Sequence, residues 1–182
     1  MNRLLLLLFV GMLCVQTNNA QKIIGRQGQV SFFSYTSVEN IKAQNNQVSS
    51  IIDLTNSKIA VSMLMSAFVF EKALMREHFN ESYIETDIYP KATFEGEILD
   101  FVPNADEPQV RIIKGVFTMH GVSEQLEIKT KIEPKGDYLI LSGSFETLVE
   151  SYNINIPPLL AGNIAKTITV DFNIEHEPYV EN

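Results

Sequence analysis

Along most of the chain, apolar side chains return at every second position. Ile168, Val170, Phe172 and Ile174 alternate with Thr167, Thr169, Asp171 and Asn173, the period of a strand with one dry and one wet face. Leu126, Ile128 and Ile132 keep that parity around Thr130. Leu139, Leu141 and Phe145 keep it again, with Gly143 completing the row. Between these two runs, Glu133 to Asp137 (EPKGD) supplies the Pro and Gly of a hairpin turn. Upstream, Ile52 and Leu54 lead through Thr55-Asn56-Ser57 to Ile59, Val61 and Met63, which predicts another hairpin. Phe94 and Ile98 mark a further strand, followed across a Pro-containing loop (102–109) by Val110 to Met119. His120-Gly121 falls in the next tight connection, where Gly can adopt positive φ. Connections this short leave no room for crossover helices, so the pairing is expected to be antiparallel.

One segment breaks the period. At 100° per residue, Phe70, Leu74, Met75, His78 and Phe79 share half the circumference, while Lys72, Arg76, Glu77 and Asn80 occupy the other half and Glu71 intrudes, predicting an amphipathic helix over Phe70–Asn80. This places His78 on the apolar side as a partly buried, hydrogen-bonded ring. The preceding run, Ile59 to Phe70 (IAVSMLMSAFVF), is unusually apolar, with Leu64 extending it to the other register. It reads as a strand covered on both faces, with the helix as one cover. A single helix among many strands caps or plugs a curled sheet rather than layering it. An all-β fold follows, and periodicity leaves both a barrel and a sandwich open.

The N-terminus has one Arg, an apolar run from Leu4 to Val15, then small and polar residues to Ala20. This reads as a secretory signal peptide over 1–20, cut between Ala20 and Gln21; the run falls short of the roughly 20 residues that span a bilayer. A spanning helix and lipoprotein modification at Cys14 are the competing readings. Residues 21–182 then form one domain without cysteine, held by an ordinary core. The expected location is periplasmic or secreted, with no stable membrane insertion after signal removal. The full chain has a formal net charge of −8, and loss of Arg3 makes the remainder more acidic. That balance disfavours nucleic acid and anionic lipid as partners.

Chemical readings are weak. No G-x-S-x-G elbow occurs. Glu95 and Glu97 share a strand face opposite Phe94 and Ile98 and read as solvated, and GRQGQ (Gly25–Gln29) lacks the Lys of a phosphate loop. His78, His120 and His176 could together hold a metal in a secreted enzyme, but no pair has the spacing that places two on one face. The expectation is therefore no enzyme, no cofactor and no metal. A ligand-free structural or dimerisation module is a further alternative.

The apolar inventory says more. An interior that includes flexible Met can accommodate an irregular chain. Candidate lining residues are Val61, Met63, Met65 and Phe70 from the apolar run; Leu74, His78 and Phe79 from the helix; Phe94 and Phe117 from the strands; and Leu159 and Leu160 from NINIPPLLAGN (Asn153–Asn163), which reads as a loop with an apolar tip.

Two stretches, HFNESYIETDIYPKATFEGEI (His78–Ile98) and IKGVFTMHGVSEQLEI (Ile113–Ile128), in this order after a signal peptide, resemble the YceI-like family of secreted lipid-binding proteins. His78, Phe79, Tyr89, Pro90, Phe94, Gly115, His120 and Gly121 match its signature positions. The resemblance implies an extended, lipocalin-like antiparallel β-barrel with a short helical insertion. It further implies an elongated cavity for a polyisoprenoid or other long-chain lipid, often in a homodimer, and no catalytic nucleophile. The sequence departs from the family pattern at the polar stretch Asn80–Tyr83 and at VESYNINIP (Val149–Pro157).

Overall fold

The computed structural model describes residues 22–36, 40–156 and 165–179. The expected signal peptide lies outside this range, as do Leu159 and Leu160. Among the described residues, the strands are β1 (Lys22–Ser34), β2 (Ile41–Asp53), β3 (Lys58–Leu64), the two-residue β4 (Val69–Phe70), β5 (Lys91–Ile98), β6 (Gln109–Met119), β7 (Val122–Lys135), β8 (Tyr138–Leu148) and β9 (Thr167–Pro178). All pairings are antiparallel, and each long strand pairs with its neighbour in sequence. Because β1 pairs with both β2 and β9, the sheet closes into an eight-stranded up-and-down barrel, with β4 as an extra pairing on β2. Closure settles the choice between barrel and sandwich and removes exposed sheet edges.

The turns follow their residues. Met119 pairs with Val122, so the β6–β7 turn is only His120 (φ 51°) and Gly121 (φ 74°). Both central residues are left-handed, as a type I′ hairpin requires. At the next hairpin, Lys135 pairs with Tyr138 around Gly136, whose φ is 61°. Between β2 and β3, Asp53 accepts hydrogen bonds from the backbone N–H groups of Thr55 and Asn56 at 2.9 and 3.2 Å.

Two expectations are corrected. Ile59 to Phe70 is not one doubly covered strand: β3 ends at Leu64, a 3-10 turn spans Met65–Ala67, and β4 resumes the pairing with β2. Met63 and Met65 are buried while Leu64 is 43% exposed, so the inward parity persists and Leu64 faces out. Asn45 of β2 bridges the interruption. Fully buried, it donates through Nδ2 to the Leu64 carbonyl at 2.8 Å and accepts from the Gln47 N–H at 2.8 Å, supplying bonds that the broken ladder lacks. The helix is also shorter than expected. Phe70 belongs to β4; α1 covers Ala73–His78 and runs into a π turn at Phe79–Tyr83. No residue of either helical piece is buried, because the insertion spans the barrel mouth instead of packing into the wall.

The opposite end is filled. Ile52, Ile98, Ile132 and Ile174 are buried there, and His176 continues the inward row of β9. Its Nε2 lies 2.9 Å from Ser50 Oγ, and Nδ1 is buried without a partner. Burial holds its pKa at about 4, below the usual 6.5, against the opposing influence of the Leu139 and Ile174 backbone. The imidazole is therefore neutral in the folded protein while it binds a proton more readily in the unfolded chain. Stability from this group is complete above pH 6.5 and is lost as pH falls towards 4, by roughly 3 kcal/mol. Asp53, whose carboxyl its turn hydrogen bonds hold below 3.8, loses its contribution only at lower pH. Chemical denaturation across pH 4 to 7 is expected to show a stability slope in wild type that His176→Gln flattens.

Candidate functional site

The inward parity of the strands lines a central cavity of about 470 Å³, within the range of small-molecule sites. Its floor is made by Ile59, Ile113, Ile128, Leu141 and Ile174. Its walls hold Val30 and Phe32 of β1, Val61 and Met63 of β3, Phe94 of β5, Phe117 of β6, Phe145 of β8, and Ile168, Val170 and Phe172 of β9. Aromatic rings fit because glycine stands opposite them. A Cβ on Gly115 would come within 2.6 Å of Phe94 Cζ, and one on Gly143 within 2.7 Å of Phe172 Cζ. Glycine thus lets each ring fold along the wall rather than across the space.

At the mouth, four phenylalanines from separate elements converge. Phe79, first residue of the π turn, lies 5.7 Å from Phe32, 5.7 Å from Phe68 and 5.0 Å from Phe70 between ring centroids, in the range of favourable aromatic pairs. This cluster ties the helical insertion to β1 and β4. Leu74, Met75 and His78 extend the lining from α1 to the rim. Leu74 is 59% exposed, and His78 is exposed rather than partly buried as expected. The helix covers an opening, so its apolar face meets the cavity and solvent instead of a packed layer.

The structure brings Val61, Met63, Met65, Phe70, Leu74, His78, Phe79, Phe94 and Phe117 together on this one surface. The candidate lining residues did not include Phe32 and Phe68, which the cavity also holds. They also left out Ile168 and Val170, although their parity was visible. The few polar lining groups stand near the mouth: Ser34, Lys72, His78, Tyr83 and Thr147. Ser34 Oγ accepts from the Ala165 N–H at 3.1 Å, and Thr147 Oγ1 donates to the Tyr152 hydroxyl at 3.1 Å. Burial pushes the Tyr152 phenol up from its usual 10.

The three histidines do not meet at a common centre. His176 sits on Ser50 at the filled end and His78 lies on the rim. His120 Nδ1 is 2.8 Å from the Tyr152 carbonyl, and its Nε2 is 3.0 Å from Glu85 Oε2. Among the described residues no group of three His, Cys, Asp or Glu side chains is placed to hold a metal ion, which counts against the metalloenzyme alternative. Glu95 and Glu97 face solvent.

A closed meander around an apolar cavity, with a helical cover at one end, defines a lipocalin-like barrel suited to hydrophobic ligands. The chain belongs to the YceI-like domain family, whose model matches residues 22–176. It is similar in structure to a polyisoprenoid binding domain from Saccharophagus degradans implicated in plant cell wall breakdown (TM-score 0.74, 12% identity, covering 88% of this chain and 99% of that one). It is also similar to BcnA of Burkholderia cenocepacia (0.69, 14%, 81% and 95%) and to a YCEI protein of Campylobacter jejuni (0.59, 15%, 81% and 90%). At these identities the likeness establishes the fold. Among curated proteins, none matches the chain in sequence.

Two substitutions separate an open cavity from a solid core. Val61→Phe adds a ring to the wall: with space available, the melting temperature is expected to hold or rise, whereas a filled interior would lose about 1–3 kcal/mol to overpacking. Phe79→Ala removes the shared partner of the mouth cluster. Being half-buried, it is expected to lower stability by roughly 2 kcal/mol, less than a fully buried Phe. Amide exchange should accelerate over 72–84 first, with the β6–β7 ladder unaffected.

Proposed function

We propose that this protein is a non-catalytic carrier that binds, stores or transports a long apolar or amphiphilic ligand, such as a polyisoprenoid or a fatty-acid-like lipid. The observation that carries this reading is the cavity itself, about 470 Å³ and lined almost wholly by hydrocarbon side chains. A ligand there gains about 25 cal/mol for each Å² of apolar surface removed from water, before entropic costs. The description of the similar Saccharophagus degradans domain as polyisoprenoid-binding supports the ligand class. The apolar leader over 1–20 supports action in the periplasm or after secretion. Among the described residues, hydrocarbon side chains dominate the cavity. Its few polar groups suit orientation of one end of a ligand.

Native mass spectrometry after gentle purification, followed by lipid extraction, is expected to show a bound long-chain species. Delipidated protein should rebind an isoprenoid of similar length, and Val61→Phe should weaken that uptake about tenfold. A reproducibly empty protein that takes up no long-chain lipid would overturn the assignment.

A further inference from the structure

Residues 21–182 contain neither cysteine nor tryptophan, which leaves methionine as their only sulfur and their most readily oxidised side chain. Four methionines occur there, Met63, Met65, Met75 and Met119, and all four line the apolar cavity. Three are shielded: Met63, Met65 and Met119 are only 8%, 4% and 6% exposed. Met75 is half-buried, on a helix that spans the mouth and buries none of its residues. Its carbonyl accepts from the Phe79 N–H, which puts the two side chains one turn apart on the same helix face. Phe79 is the shared partner of the mouth cluster. The Met75 thioether therefore stands at the entrance, open to solvent on one side and to the cavity on the other.

A thioether is both an apolar lining group and a two-electron reductant. Towards a peroxide, its sulfur lone pair takes the nearer oxygen. The O–O bond breaks, an S=O bond forms, and the other oxygen departs with a proton as water or as an alcohol. Sulfur is oxidised by two electrons and the peroxide is reduced by two. The product, methionine sulfoxide, is polar and accepts hydrogen bonds without donating any. Water satisfies that oxygen while the mouth is open. A hydrocarbon chain laid against α1 displaces the water and supplies no donor, so the desolvation cost falls on the loaded state alone. The bound chain in turn covers the sulfur and keeps the oxidant away.

We propose that Met75 is a modification site: a peroxide converts its thioether to the sulfoxide in the ligand-free protein, and the sulfoxide lowers the affinity of the cavity for apolar chains. Enzymatic reduction of the sulfoxide by a thiol reductant restores the thioether. The assignment rests on the carrier reading above and adds a redox control of loading. The three buried methionines fill the wall without taking part, because the oxidant reaches them only through the mouth.

The test treats the purified, delipidated protein with dilute hydrogen peroxide and maps the oxidised methionines by peptide mass spectrometry over time. Met75 is expected to gain one oxygen at least about tenfold faster than Met63, Met65 or Met119, and more slowly when a long-chain prenol is added first. Protein oxidised at Met75 alone should bind the prenol about tenfold more weakly, the factor for one polar group stripped of water, with its melting temperature unchanged. Methionine sulfoxide reductase should reverse the loss. In Met75→Leu, prenol affinity should be the same before and after peroxide, whatever its starting value. The modification site is overturned, and the carrier reading stands, if a buried methionine oxidises as fast as Met75 or if oxidised Met75 leaves affinity unchanged. The same holds if Met75→Leu loses affinity to peroxide as wild type does, or if affinity falls only together with melting temperature. If untreated protein takes up neither the prenol nor a long-chain fatty acid, the carrier reading falls and this assignment with it.

Discussion

The structure depends on β1 holding two partners at once. Its hydrogen bonds to β2 and to β9 close the ladder, and closure converts a local alternation of side chains into an inside and an outside. Once the ring is complete, a strand cannot slip by one residue without turning its whole apolar set to water. Interior width is then set by strand number and tilt rather than by the volume of the side chains. Eight strands enclose slightly more space than the inward residues fill near the mouth, so the cavity is a consequence of closure combined with the choice of residues at each level.

That choice differs between the two ends. Ile52, Ile98, Ile132, Leu141 and Ile174 interdigitate at the filled end, where buried His176 is held neutral by its surroundings. Higher up, glycine at 115 and 143 lets the Phe94 and Phe172 rings lie along the wall. The apolar area needed for folding is retained while the centre stays open. At the mouth the pairing of β2 with β3 and then β4 breaks for one 3-10 turn, where Asn45 donates across the gap to the Leu64 carbonyl and accepts from the Gln47 N–H of its own strand. The same interruption brings Phe68 and Phe70 to Phe32 and Phe79, so a defect in the sheet becomes the anchor of the helical cover.

Much of this was legible because the strand period is two. The rows through Ile174, Ile132 and Leu141, the turns at EPKGD and His120-Gly121, and the inward positions of Val61, Met63, Phe94 and Phe117 all follow from alternation. Closure did not, since a barrel and a sandwich share one local pattern; the partner of β1 is over a hundred residues away. β1 itself was obscured by Gly25, Gly28 and two bulges, which break the count. His176 could have been placed by extending the row 168, 170, 172, 174 by one step, but it was considered only with His78 and His120 as one of three scattered histidines. The helix was over-extended because periodicity cannot distinguish Phe70 on a helical face from Phe70 at a strand position that meets the same ring, Phe79.

His78 shows why one residue can satisfy two patterns and still be misread. Its place on the apolar arc of α1 was correct, since it lines the cavity with Leu74 and Phe79. Burial was inferred on the assumption that an apolar arc faces a packed layer. Here the arc faces an opening, and the polar ring lies where hydrocarbon lining ends and hydrogen-bonding groups begin. The irregular stretches 80–83 and 149–156 supply Ser82, Tyr83, Asn153 and Asn155 to that boundary. Strand alternation reproduces the barrel and its hydrocarbon wall, which many sequences can satisfy. The short irregular segments at the mouth are under no such periodic constraint, so individual polar residues there can change without disturbing closure.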